Sequence, residues 1–323
     1  ARILPGAPAD DAEATGGYLL PGFVDAHVHV ESSMLPPAEF ARLAVRHGTV
    51  ATVSDPHEIA NVLGVEGVRY MAREAARSPL EICFGAPSCV PATRFETAGA
   101  VIEAEDLAPL FEDGTVRYLS EVMNYPGVLA DDPGLMAKLA LARRHGRPID
   151  GHAPGLRGED ARRYAAHGIS TDHECYSLEE ALDKIAAGMK ILIREGSAAK
   201  NFAALAPLLQ THPDHCMFCS DDSHADRLLD QHINTHVQRA VAEGYPLWSV
   251  LRAASWNPVQ HYGLHTGLLR VGDPAEAFAI GEAVARRRKR RLPIGSAKTN
   301  VGHLEPVSGL VGVRGGVLGP GTR

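Results

Sequence analysis

The chain has no apolar run long enough to span a membrane, and no signal peptide precedes its first hydrophobic stretch, so a soluble, cytoplasmic protein is expected. Cysteine is sparse. Five residues, Cys83, Cys89, Cys175, Cys216 and Cys219, are an odd number in a chain of 323, and reduced thiols rather than a disulfide framework are expected. The sequence opens on Ala1 instead of Met and reads as a cut or processed piece. It also lacks a Gly-rich phosphate turn after its first strand-like run, which argues against a doubly wound nucleotide-binding sheet.

Histidine is abundant: sixteen occur beside only two tryptophans, many of them at the ends of apolar runs, a placement that favours metal chemistry. A hydrophobic content of 45% is enough for one large core. Short β-rich runs alternate with amphipathic stretches eight times. Strands are predicted at 22–29, 49–54, 80–85, 116–122, 148–152, 169–173, 189–194 and 216–220. Helices are predicted at 38–47, 64–77, 134–145, 158–167, 178–187, 202–210, 225–243 and 247–256. The economical fold is an α/β, TIM-type (β/α)8 barrel, with its site at the C-terminal ends of the strands.

The residues at those ends carry the chemistry. His27 and His29 close the first strand, and a two-residue period puts both imidazoles on one face. Asp55, His57 and Glu58 follow the second strand, Glu121 sits in the fourth, His152 and His173 end the fifth and sixth, and Asp221 and Asp222 follow the eighth. Any one of these is an ordinary polar residue at a strand exit, but six strands of eight closing this way is a metal site. His27, His29, His152, His173 and Asp221 are read as ligands, and Glu121 as the carboxylate bridging two ions. Asp222 should point elsewhere. His57 and Glu58 are left with three options: touching substrate, holding metal or orienting ligands.

His29-Val-Glu31 and Cys216-Met-Phe-Cys219 match fragments of the cytidine-deaminase zinc signature. No proline immediately precedes Cys216, however, and a strand would turn Cys216 and Cys219 to opposite sides, so both read as packing residues.

The stretches Pro21-Gly-Phe-Val-Asp-Ala-His-Val-His29, Ser54-Asp-Pro-His-Glu-Ile-Ala-Asn61, Ser120-Glu-Val-Met-Asn-Tyr-Pro-Gly-Val128, Asp150-Gly-His-Ala-Pro-Gly155, Thr171-Asp-His-Glu174, Ile193-Arg-Glu-Gly-Ser-Ala-Ala-Lys-Asn201 and Phe218-Cys-Ser-Asp-Asp222 together resemble the amidohydrolase superfamily, and within it the bacterial-type adenine deaminases. The resemblance covers residues 17 to 275. It implies Glu121 where many superfamily members carry a carboxylated lysine, and two divalent ions, Mn(II) or Fe(II) ahead of Zn(II). It implies hydrolytic conversion of adenine to hypoxanthine and ammonia, with Asp221 moving the proton and Glu58 the next acid to test. His57, Arg194, Glu195 and Ser197 would contact the purine. A small-molecule base is the expected partner, with no nucleic acid and no membrane, and a homodimer is a possible assembly. The runner-up is a dihydroorotase-like or hydantoinase-like cyclic amidase, which would normally want the strand-four lysine. An inactive barrel fragment is the non-enzymatic alternative.

The ends depart from the family pattern. Residues 1–20 read as the remnant of a small β-sandwich domain and 21–281 as the barrel. From Glu282 the charge is +7, against −14 on the preceding residues, and Leu292–Gly309 resembles the Lys and His segment of ketosynthases. Without that fold's other parts, residues 282–323 are expected to form a basic linker and a tail with no function.

Overall fold

The computed structural model describes residues 20–93 and 95–268. The expectations for residues 1–19 and for the tail from 282 onward lie outside that range.

Among the described residues nine strand segments form the wall: β1 (Phe23–His29), β2 (Thr49–Ser54), β3 (Glu81–Ala86), β4 (Tyr118–Val122), β5 (Ile149–Gly151), β6 (Thr171–Asp172), β7 (Lys190–Arg194), β8 (Cys216–Cys219) and β9 (Asp221–Asp222). All pairings between these strands are parallel, in the orders β5-β4-β3-β2-β1-β9 and β6-β7-β8. The two sheets meet twice. The eighth strand is broken at Ser220, so that β8 pairs with β7 while β9 pairs with β1, and the Ser170 amide donates to the Ile149 carbonyl at 2.9 Å between β5 and β6. The wall is therefore an α/β barrel of eight strand positions. Gly151 permits the second junction, because a Cβ there would lie 2.3 Å from the Thr171 carbonyl oxygen.

Two irregularities in the wall decide which side chains face inward at its upper end. In β1 the register slips between Asp25 and Val28, three residues against the two from Thr52 to Ser54. Val24 and Ala26 face the barrel interior with Tyr118, Leu192 and Met217, whereas Val28 and Val30 face outward onto Phe40 and Ala44. The extra residue lets Ala26 and His27, neighbours in sequence, both face inward. In β4 the same slip falls between Leu119 and Val122, so Leu119 and Val122 pack outward while Ser120 and Glu121 both turn in.

Helices cover the outside, with several departures from expectation. Ala104–Glu112 has no counterpart among the predicted helices; its start is fixed by reciprocal capping between Glu103 and Asp106 despite Pro109 in its interior. His57–Leu63 and Tyr125–Leu129 are further short helices after β2 and β4. The stretch 202–210 divides at Pro207 into Phe202–Leu205 and Leu208–Thr211. The stretch 225–243 divides into Ala225–Asp230 and Ile233–Ala242, because His232 between them is drawn into the wall, 2.6 Å from Thr49 Oγ1 and 2.9 Å from Asp25 Oδ2. The last predicted helix continues through a π-turn, Arg252–Trp256, into Asn257–Tyr262. Cys216 packs against helices and Cys219 inside the barrel, on opposite faces, and all five cysteines are free and buried.

Candidate metal centre

The C-terminal ends of β1, β4 and β7, with the turns after β2, β5 and β6 and the start of β9, bring the chemistry-bearing side chains to one point. His27 Nε2 and His29 Nε2 stand 3.2 Å apart. Asp221 Oδ1 lies 3.4 Å from the first and 3.3 Å from the second. Glu121 divides its two oxygens. Oε1 is 3.2 Å from His29 Nε2, while Oε2 is 2.6 Å from His152 Nδ1 and 3.2 Å from His173 Nε2. The His27 and His173 rings stack with centroids 4.1 Å apart. All six residues except His152 are buried.

Backbone and neighbouring groups fix the orientation of each donor. His29 Nδ1 donates to the Asp55 carbonyl at 3.0 Å, which leaves Nε2 of the neutral ring as a lone pair aimed into the cluster. Asp221 adopts a left-handed φ of 58°, an uncommon conformation for a residue with a side chain, at the start of β9 just past the break in the eighth strand. Its Oδ2 is held by Arg194 at 2.5 Å, so only Oδ1 faces the histidines.

The electrostatics are those of a site that wants a cation. Burial opposes a charge on His29, yet Asp221 and Glu121 raise its pKa well above the usual imidazole value. Burial likewise opposes a charge on His57, and Asp55 brings it up to about 9. Against the cost of burial, the imidazoles of His152, His173 and His29 hold Glu121 well below the carboxylate range, and those of His27 and His29 do the same for Asp221. Protons here occupy the lone pairs that a metal would use. The donors are imidazole nitrogen and carboxylate oxygen, with no thiolate in the candidate metal-holding groups among the described residues, which fits a divalent ion of the Mn, Fe or Zn type.

Two neighbours are given no role in the site by the sequence pattern. Asp55 receives Ser120 Oγ at 2.7 Å and lies 2.9 Å from His57 Nδ1, and it joins His29, His57 and Glu121 as a possible ligand group. Glu174 lies 3.4 Å from His173 Nε2 and is bonded by both terminal nitrogens of Arg194. Following a ligand histidine, Glu174 should point away in a regular strand; β6 ends at Asp172, and the turn brings it back.

The remaining expectations divide. His57 reaches the cluster, 3.4 Å from Glu121 Oε1. Arg194 reaches it through Asp221 and Glu174. Glu58 stands beside it, sharing the Ser32 hydroxyl with Asp222 at 3.2 and 2.6 Å. Glu195 does not reach it, because strand alternation turns it to the outer face. There it pairs with Arg239 at 3.0 Å and Lys200 at 3.8 Å, in a separate cleft of about 230 Å³ that also includes Arg227 and His236. The Ser197 hydroxyl accepts the His224 amide at 3.0 Å and serves its own loop.

The family model for the amidohydrolase family matches residues 18–294, running past the barrel boundary expected at 281. The chain is 57% identical over 286 residues to an adenine deaminase of Sulfurovum sp. (strain NBC37-1), covering 84% of this chain and 54% of that protein. To an adenine deaminase of Salinibacter ruber it is 56% identical over 293 residues, covering 90% of this chain and 54% of that one. It thus spans about half the length of these curated relatives. Solved structures share the fold: a D-hydantoinase from Thermus sp. has a TM-score of 0.62 at 16% identity, covering 84% of this chain and 79% of its own. An N-acetyl-D-glucosamine-6-phosphate deacetylase from Mycobacterium smegmatis has 0.60 at 18%, covering 82% and 83%. The ketosynthase resemblance of Leu292–Gly309 gains no support from these matches and lies outside the described residues. No helix among the described residues is long and apolar enough to cross a membrane. With the barrel, its ring of donors and the matched sequence all in one chain, it belongs to the amidohydrolase family.

Proposed function

We propose that this chain carries the metal-dependent hydrolytic deamination of adenine to hypoxanthine and ammonia. The observation that carries the reading is the division of the Glu121 carboxylate. One oxygen faces His29 and the other faces His152 and His173, as a bridge between two ion positions requires. His27, His29 and Asp221 would hold one ion and His152 and His173 the other, with Glu121 common to both. Mn(II) or Fe(II) is the preferred pair and Zn(II) the alternative. The 57% identity to a protein named adenine deaminase, over the part of the chain that bears these residues, supports the substrate.

When bound, the ions lower the pKa of water and so supply a nucleophile at neutral pH. The protein's own groups do the rest. Asp221 Oδ1, beside both imidazoles of β1 and with Oδ2 anchored on Arg194, takes the proton of the attacking water and returns it to the departing nitrogen. Glu58, held by Ser32 beside Asp222, is the second acid available to the base, and His57 is fixed by Asp55 at the edge of the cluster. Arg194 is the one Lys or Arg among the described residues that is ion-paired with the cluster, and Asp221 and Glu174 occupy it. A surplus of carboxylates, with Glu31, Glu58 and Asp222 nearby, suits a neutral base rich in N–H donors and disfavours a phosphate- or carboxylate-bearing substrate.

The test is ammonia and hypoxanthine formation from adenine by the metal-stripped chain reloaded with Mn(II), with metal content measured on the same sample. Two bound ions and turnover of adenine are expected. Metal uptake with hydrolysis of a dihydropyrimidine or hydantoin and none of adenine would assign the cyclic-amidase chemistry instead.

A further inference from the structure

Behind the centre lies a charged cluster that the proposed chemistry does not use. Lys184, on the helix Leu178–Ala186, is fully buried. Its ammonium donates to the Ala153 carbonyl at 2.7 Å and pairs with Glu180 Oε1 at 2.8 Å and Asp172 Oδ2 at 3.1 Å. An unpaired ammonium in such a place would be driven to neutrality; burial works in that direction, but Asp172 and Glu180 raise its pKa above the ordinary lysine value.

The two carboxylates also hold the backbones of both neighbouring ligand loops. Asp172 Oδ2 accepts the Ala153 amide at 2.9 Å, and Oδ1 accepts the Glu174 amide at 2.7 Å. Glu180 Oε1 accepts the Gly155 amide at 2.8 Å, and Oε2 accepts the Tyr176 amide at 3.0 Å. Ala153 directly follows His152, and Glu174 directly follows His173. Both loops carrying the second half of the centre are thus tied by their backbones to one ion cluster, and among the described residues Lys184 is the positive charge at its middle. The strand segments bearing His27, His29 and Asp221 have no bond to it among the described residues; Asp25, Asp55 and Arg194 position those instead.

We propose that Lys184 is a positioning residue for half of the metal centre: through Asp172 and Glu180 it sets the spacing of the His152 and His173 loops, and thereby the affinity of the second ion position. The inference rests on the two-ion reading of the centre. Groups that orient metal ligands without touching the ion characteristically change affinity by about 10- to 100-fold when removed.

The test is a manganese titration of the metal-stripped 323-residue chain, following free Mn(II) by its electron paramagnetic resonance signal, alongside thermal melting. In Lys184→Met one of the two binding steps should weaken by at least about 10-fold while the other moves by less than about 3-fold. A purely structural loss would lower the melting temperature and shift both steps together, and that result, or two unchanged steps, would overturn the proposal. Should Lys184→Met fail to fold, Glu180→Gln is read by the same criterion, with a shift of roughly 3- to 10-fold expected in one step alone. A wild-type chain that binds no manganese overturns the two-ion reading and this proposal with it, whereas two normal steps in the wild type with unchanged variants overturn the proposal alone.

Discussion

The interior of the barrel has two storeys. Its lower half is lined by Val24, Ala26, Cys83, Tyr118, Leu192, Met217 and Tyr262, all buried and almost all apolar. The upper half, one to four residues further along the same strand positions, holds His27, His29, Ser120, Glu121, Arg194 and Asp221. The lower storey is held by packing, where each side chain can be exchanged for another of similar volume at modest cost. The upper storey is held by directed bonds between charges that burial disfavours, where exchange leaves a partner unsatisfied. The floor is therefore a source of stability and the mouth a consumer of it, and the two should respond differently to substitution.

The sharpest separation is expected at the mouth. Asp221→Asn keeps an oxygen for the metal but loses the proton carrier, so steady-state deamination should fall by about 10²- to 10⁴-fold with metal content nearly retained. Turnover near that of the wild type would move the proton transfer to another group, Glu58 first. Glu121→Gln weakens the bridge, and the ratio of metal to protein in the dialysed variant should drop toward one ion or none. The floor should behave in the opposite way. Leu192→Ala leaves a cavity among Val24, Tyr118 and Met217 and should destabilise the fold by about 2 to 5 kcal/mol in urea unfolding, with manganese stoichiometry intact. A loss of metal in that variant would show the storeys to be coupled.

A pH effect tests the helical layer outside the wall. His236 donates Nε2–H to the Cys219 carbonyl at 2.9 Å, and burial pushes its pKa down to about 4. Its folded value lies below the unfolded one near 6.5, so the unfolded chain takes up the proton first as the pH falls. The stability is fully present above about 6.5 and drains away towards 4, by roughly 3 kcal/mol. His236→Gln should lose correspondingly less between about pH 7 and about pH 4.5 than the wild type, as read from the two urea midpoints. The smallest effect is expected from Glu195→Gln, which removes a charge paired with Arg239 in the outer cleft; adenine turnover should change by less than about 3-fold. A larger loss would bring that cleft into the catalytic unit.

Much of this division is legible in the amino-acid order. All eight strand positions are readable from the alternation of β-rich and amphipathic runs, and the residues that the structure gathers, His27, His29, Glu121, His152, His173 and Asp221, stand at those strands' ends. Helix boundaries are less legible where tertiary bonds override periodicity, as at His232, which breaks a helix to reach Asp25 and Thr49. Asp55 stands at a strand's end as well but, like Glu174, receives no role from the pattern, because past the regular strand the two-residue period no longer says which way a side chain points. Glu195 misleads for the converse reason: it follows Arg194 immediately, and proximity in sequence suggests the wrong face of the wall.

The slips in β1 and β4 bear on how such a mouth could be written into a gene. Below each slip the inward residues fall on even positions, Val24 and Ala26 in one strand and Tyr118 in the other; above it they fall on odd ones, His27, His29 and Glu121. One codon in each strand shifts the phase between the half that packs and the half that binds. Ligands and core can then vary independently, since substitutions in one phase never have to satisfy the alternation of the other.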